Sequence, residues 1–104
     1  MKTEKELLLE IKKAVEDLHY ISSSSNYVNA VDKISAKVED LCDNYSPNYF
    51  DSLELEHFRH TINTEVSYVE NAKSKTKAES FMAKATKQLK VDLFSILEKA
   101  NGIE

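Results

Sequence analysis

Between Ala78 and Ala100 the chain places Ala78, Met82, Ala85, Leu89, Leu93, Ile96 and Ala100 at steps of four, three, four, four, three and four. That spacing keeps seven side chains on one face of a 3.6-residue turn, so the stretch is expected to form one long amphipathic helix with a core-facing stripe. Within it, the run LKVDLFSIL from Leu89 to Leu97 turns Val91 and Phe94 about 140 to 160° away from the stripe. The last helix is therefore apolar in two directions, and one of them has no assigned neighbour.

A helix of this kind needs partners, and the rest of the chain supplies them. Thr3 and Glu6 have the spacing of a capping box, and Leu7, Leu8, Ile11, Ala14, Val15, Leu18 and Ile21 follow on one face. The run Ser22 to Ser25 ends that helix, because serine side chains compete for backbone groups, and it can cap the next. A second helix is expected from about Asn26, with its stripe running from Tyr27, Val28, Val31, Ile34 and Val38 to Leu41, Cys42 and Tyr45.

Pro47 closes the second helix and leaves 44–50 as a loop. Asp51 and Glu54 repeat the capping-box spacing, with Phe50 and Leu55 as a hydrophobic staple. The third stripe is Leu55, Phe58, Ile62, Val66 and Val69, extending to Ala72. The KSKTK run from Lys73 to Lys77 is expected to be a tight turn, with Thr76 and Glu79 offering a cap for the fourth helix. A continuous helix there is the alternative. Gly102 lies where a left-handed C-terminal cap is expected.

One glycine and one proline remove most β-turn chemistry. The expected fold is all-α: an antiparallel up-down-up-down four-helix bundle, with residues 1–104 as a single helical domain. A single cysteine cannot make an intramolecular disulfide, and the first thirteen residues, MKTEKELLLEIKK, are too charged for a signal peptide or membrane span. A cytoplasmic protein is expected, with no membrane span.

Catalytic patterns are sparse. Glu16/His19 and Glu54/His57 repeat the Glu-x-x-His spacing of di-iron carboxylate bundles, but on a helical wheel Glu16 and His57 point away from their apolar faces. His57 and His60 point outward without a third ligand, so no metal site is assigned. Cys42 borders an apolar face and is read as a small buried hydrophobe. The one glycine rules out phosphate-cradling loops. Active ribonucleases of the HEPN family carry an Arg followed several residues later by His, whereas Arg59 is followed at once by His60 and by no later histidine. No cofactor and no enzymatic activity are expected.

Charge is segregated. Acids Glu39, Asp40, Asp43, Asp51, Glu54 and Glu56 occur without a base between them, whereas 73–90 holds six lysines against Glu79; the net charge is −4. Lys77, Lys84 and Lys87 fall on the same outer side as Val91 and Phe94. These five residues form the candidate partner-binding face of a small acidic interaction protein of inhibitor, immunity or regulatory type. Tyr49, Asp51 and Glu54 form a secondary acidic and aromatic patch suited to a basic partner.

The alternative is a nucleic-acid-binding accessory role for the lysine-rich segment 73–90. A single arginine and the negative net charge count against it. A homodimer pairing the basic stripe with the acidic edge of a second copy is also consistent with the pattern. In length, helical class and lysine-rich composition the chain resembles bacteriocin immunity proteins. That resemblance implies an antiparallel four-helix bundle and a protein partner, and it extends to no motif.

Overall fold

The computed structural model describes residues 3–45 and 52–103. Thr3 is extended and its Oγ1 accepts a hydrogen bond from the Glu6 amide at 3.1 Å, so the expected capping residue starts α1 (Glu4–Asp17). Glu4 and Glu6 place negative charge at the positive end of the helix dipole. Leu7, Leu8, Ile11 and Val15 are buried, and a single 3₁₀ turn (Leu18–Tyr20) adds Leu18 to the core before Ile21 turns extended.

Ser23, also extended, accepts from the Asn26 amide at 3.5 Å and starts α2 (Ser24–Asn44) two residues before the expected position. Tyr27, Val31, Ile34, Val38 and Leu41 are buried along it, while Val28, Cys42 and Tyr45 flank the core half-buried. Residues 46–51, which include most of the expected loop 44–50, the expected Asp51 cap and the Phe50 staple, lie outside the described residues.

The third segment is not one regular helix. It runs as α3 (Ser52–Thr61), a π-helical turn (Ile62–Val66) and α4 (Ser67–Glu70). The reason lies in the spacing of its apolar residues. After Phe58 and Thr61, a regular helix would turn Glu65 inward, but a π turn closes i to i+5 and presents Val66 instead. The buried positions accordingly read Phe58, Thr61, Val66 and Val69, and Ile62 moves to the half-buried flank.

A tight turn follows, as expected of the lysine-rich run, but its cap is Ser74 rather than Thr76. Ser74 is extended and its Oγ accepts from the Lys77 amide at 3.2 Å, which starts α5 (Lys75–Asp92). Ser74, between Lys73 and Lys75, satisfies an orphan amide that a lysine, a donor-only side chain, cannot accept from.

All seven residues of the opening stripe are buried, yet they do not belong to a single straight helix. Leu93 adopts φ −97° and ψ 9°, separating α5 from α6 (Phe94–Ile103). The Leu93 amide still donates to the Leu89 carbonyl and the Leu97 amide to the Leu93 carbonyl, both at 2.9 Å, so Leu93 stays tied to the turns on either side of it. The bend divides the stripe between two sets of neighbours: α5 packs on α3 and α4, and α6 packs on α1, which also packs on α2. Gly102 lies inside α6 without a positive φ, so the expected left-handed cap is not formed there.

The all-helical reading holds, with no strand among the described residues, but four uninterrupted helices do not: the third and fourth segments are each divided. Buried residues from every long segment join one apolar cluster. Deep inside it, Tyr27 Oη and Thr86 Oγ1 share a hydrogen bond of 2.7 Å that joins α2 to α5. Among the described residues, no helix is long and apolar enough to cross a membrane.

Candidate protein-binding surface

The outer residues of the last segment are exposed. Val91, in the final turn of α5, is 63% accessible and Phe94, the first residue of α6, is 59% accessible, on either side of the fully buried Leu93. Leu93 fills the core position, so its neighbours two before and one after it are turned outward by helical geometry. Lys87 and Val91 have the four-residue spacing that makes side chains of one helix neighbours, and Lys90 and Phe94 stand four residues apart on the two sides of the bend.

The three expected lysines are all exposed, but the structure does not gather them at one point. Lys77 is in the first turn of α5, about 21 Å along the helix axis from Val91 at 1.5 Å per residue. Lys84 leans across to the π turn, where its Nζ lies 3.9 Å from Glu65 Oε2. Lys87 stays with the apolar pair and lines a groove on the other flank, beside the 3₁₀ turn. The compact candidate face is therefore Lys87, Lys90, Val91 and Phe94. Lys90 is an addition to the expected set: it stands three residues after Lys87 on the same helix and lines the same groove.

That groove has a volume of about 450 Å³ and runs between the 3₁₀ turn and one face of α5. Leu18, Ile21 and Met82 form its apolar floor, and His19, Lys87 and Lys90 stand on its rim. No periodicity in the sequence marks it, since it exists only where two segments distant in the chain face each other. Tyr20, adjoining it, is 82% exposed and meets the His19 ring edge-on at 5.6 Å.

Of the secondary patch, Tyr49 and Asp51 lie outside the described residues, and Glu54 is half-buried in the first turn of α3. The acidic region is also partly neutralised from within. Arg59, the one arginine, holds Glu39 in a two-pronged pair, Nε to Oε1 and Nη2 to Oε2 at 3.0 Å each, tying α3 to α2. The guanidinium best suited to phosphate recognition is thus committed to an internal pair.

The chemical candidates are distributed as the helical wheel indicates. Glu16, His19, His57 and His60 are exposed, and among the described residues no three His, Cys, Asp or Glu side chains converge as a metal set. Cys42 is half-buried; burial first, then the charges of Glu39 and Asp43, push its thiol up, against a smaller opposing pull from Arg59. Such an environment disfavours the thiolate that a nucleophile requires. Compared with protein-family models, with curated proteins and with solved structures, the chain matches none.

Proposed function

We propose that the protein is a small, non-enzymatic helical module that acts by docking on another protein, as an inhibitor, immunity or regulatory factor does. We further propose that its segments form an antiparallel up-down-up-down bundle whose third and fourth members are bent. One observation carries the functional reading: Val91 and Phe94 are more than half exposed beside the bend at Leu93, with Lys87 and Lys90 next to them. Two large apolar side chains bordered by lysines have the make-up of an interface anchor with a polar rim.

Replacing both by alanine removes anchors without touching the core. Affinity capture from native lysate, run in parallel with wild type, the Val91→Ala/Phe94→Ala double variant and a Leu53→Ala control, tests it. Leu53 is another exposed apolar residue, at 58%. The expected result is a partner retained by wild type and by the control and lost from the double variant, a deficit of roughly 1–3 kcal/mol per anchor. The thermal midpoint of the double variant should stay within a few degrees of wild type. Equal recovery by all three forms, or a stability loss of the size of a core truncation, roughly 2–5 kcal/mol, removes the site.

A further inference from the structure

The groove beside the candidate face narrows what kind of partner the protein takes. On α5 the lining residues Glu79, Met82, Ala83, Thr86, Lys87 and Lys90 recur at steps of three, one, three, one and three, one continuous helical face. One further step of four from Lys90 reaches Phe94, which is exposed. The groove therefore opens at its basic end onto the apolar surface already described. Its opposite wall is the 3₁₀ turn with Leu18, His19 and Ile21.

From end to end the groove is asymmetric. Glu79 marks the end nearer the start of α5, and Lys87 and Lys90 mark the end nearer Phe94, both exposed at the rim. Between them the floor is apolar, and Met82 in it is the unbranched, adaptable residue that accommodates side chains of varied shape. We infer that the groove receives an acidic amphipathic helix of a protein partner, its apolar side chains entering over Met82 and Leu18 and its carboxylates meeting Lys87 and Lys90. The occupant is acidic because, in the groove's own lining, the end nearest the exposed apolar pair carries two lysines while the one acid, Glu79, stands at the far end, so that a basic segment would be repelled there. It is helical because an apolar floor closed by two walls takes anchors at three- and four-residue spacing from one side only. The inference rests on the docking role proposed above.

Ala83 gives access to the test, since it lines the groove but is itself exposed, so a larger side chain there obstructs the groove without opening the core. A phage-displayed library of random peptides, about four helical turns long, is selected on the intact wild-type protein. Enriched peptides are then measured against Ala83→Arg, Lys87→Glu/Lys90→Glu and Val91→Ala/Phe94→Ala. Circular dichroism of each variant establishes that it is folded.

Enrichment of sequences with apolar residues at helical spacing and acidic flanks, weakened about tenfold or more by both Ala83→Arg and Lys87→Glu/Lys90→Glu, is the expected result. Several results overturn it. Enriched peptides that are basic or uncharged remove the acidic partner. Peptides indifferent to Ala83→Arg but lost with Val91→Ala/Phe94→Ala remove the groove while leaving the docking face in place. Selective binding of a single-stranded oligonucleotide at the same variants, with no peptide enriched, assigns the groove to nucleic acid instead. A concentration-dependent dimer in sedimentation that Ala83→Arg abolishes assigns it to a second copy of the chain.

Discussion

Tyr27 carries the largest buried side chain that is not wholly apolar, and its hydroxyl is hydrogen-bonded to Thr86 at 2.7 Å. Removing either partner strands the other in the core. Tyr27→Phe and Thr86→Val are each expected to cost about 1–3 kcal/mol, and the double substitution less than their sum, because two matched apolar groups leave no orphan. Urea unfolding of the four forms measures the coupling directly. The same burial raises the Tyr27 hydroxyl above its ordinary value of 10.0, with the Thr86 bond pulling back more weakly. The unfolded chain then releases this proton first. The contribution is complete below about pH 10 and is lost as pH climbs through the higher folded value. Cys42, raised from its ordinary 9.0 chiefly by burial, starts the same loss about a unit lower. Urea midpoints between pH 8 and pH 11 should fall for wild type, fall later for Cys42→Ala, and fall less steeply above pH 10 for Tyr27→Phe. A Tyr27→Phe profile parallel to wild type contradicts the assignment.

Among the elements, the two irregular ones have opposite relations to the sequence. The π turn answers a defect in the apolar spacing of the third segment, where Thr61 and Val66 are five apart and both buried. Removing the exposed Asn63 brings that spacing to four, which a regular helix satisfies. The Asn63 deletion should therefore fold and keep its thermal midpoint within about 5 °C of wild type, roughly a kcal/mol for a domain this size. Deleting the equally exposed Lys84 turns the rest of α5 by about 100° and should abolish cooperative unfolding. Differential scanning calorimetry of the two deletions separates these outcomes. The bend at Leu93, by contrast, could not be read beforehand. It keeps every stripe residue from Ala78 to Ala100 buried, so periodicity is identical for one straight helix and two bent ones. Capping at Thr3 was legible because the donor and acceptor are three residues apart. At the lysine-rich turn Ser74 competed with Thr76, and only the extended backbone at Ser74 decides between them. The wheel turned Val91 and Phe94 away from the stripe but left open whether other segments cover them, and the groove next to them required the 3₁₀ turn and α5 to be placed side by side.

At the scale of the whole molecule, charge and apolar surface are distributed for different tasks. The lysines of 73–90 are exposed, while Glu39 of the acidic region is tied to Arg59 across α2 and α3. An acidic partner would feel that separation at long range, before any side chain reaches the groove, and the effect fades once the Debye length falls from about 10 Å at 0.1 M salt to a few ångströms. Apolar anchoring at Val91 and Phe94 acts only on contact and is not screened. The two contributions should therefore separate kinetically. With the captured partner immobilised, raising salt from about 0.05 to 0.5 M should slow association several-fold and change dissociation little. Val91→Ala/Phe94→Ala should do the reverse, speeding dissociation about tenfold or more with the salt slope of association unchanged. Lys87→Glu/Lys90→Glu should flatten or invert that slope. If association of wild type is indifferent to salt, the lysine face does not meet opposite charge, and recognition by this molecule is carried by its apolar residues alone.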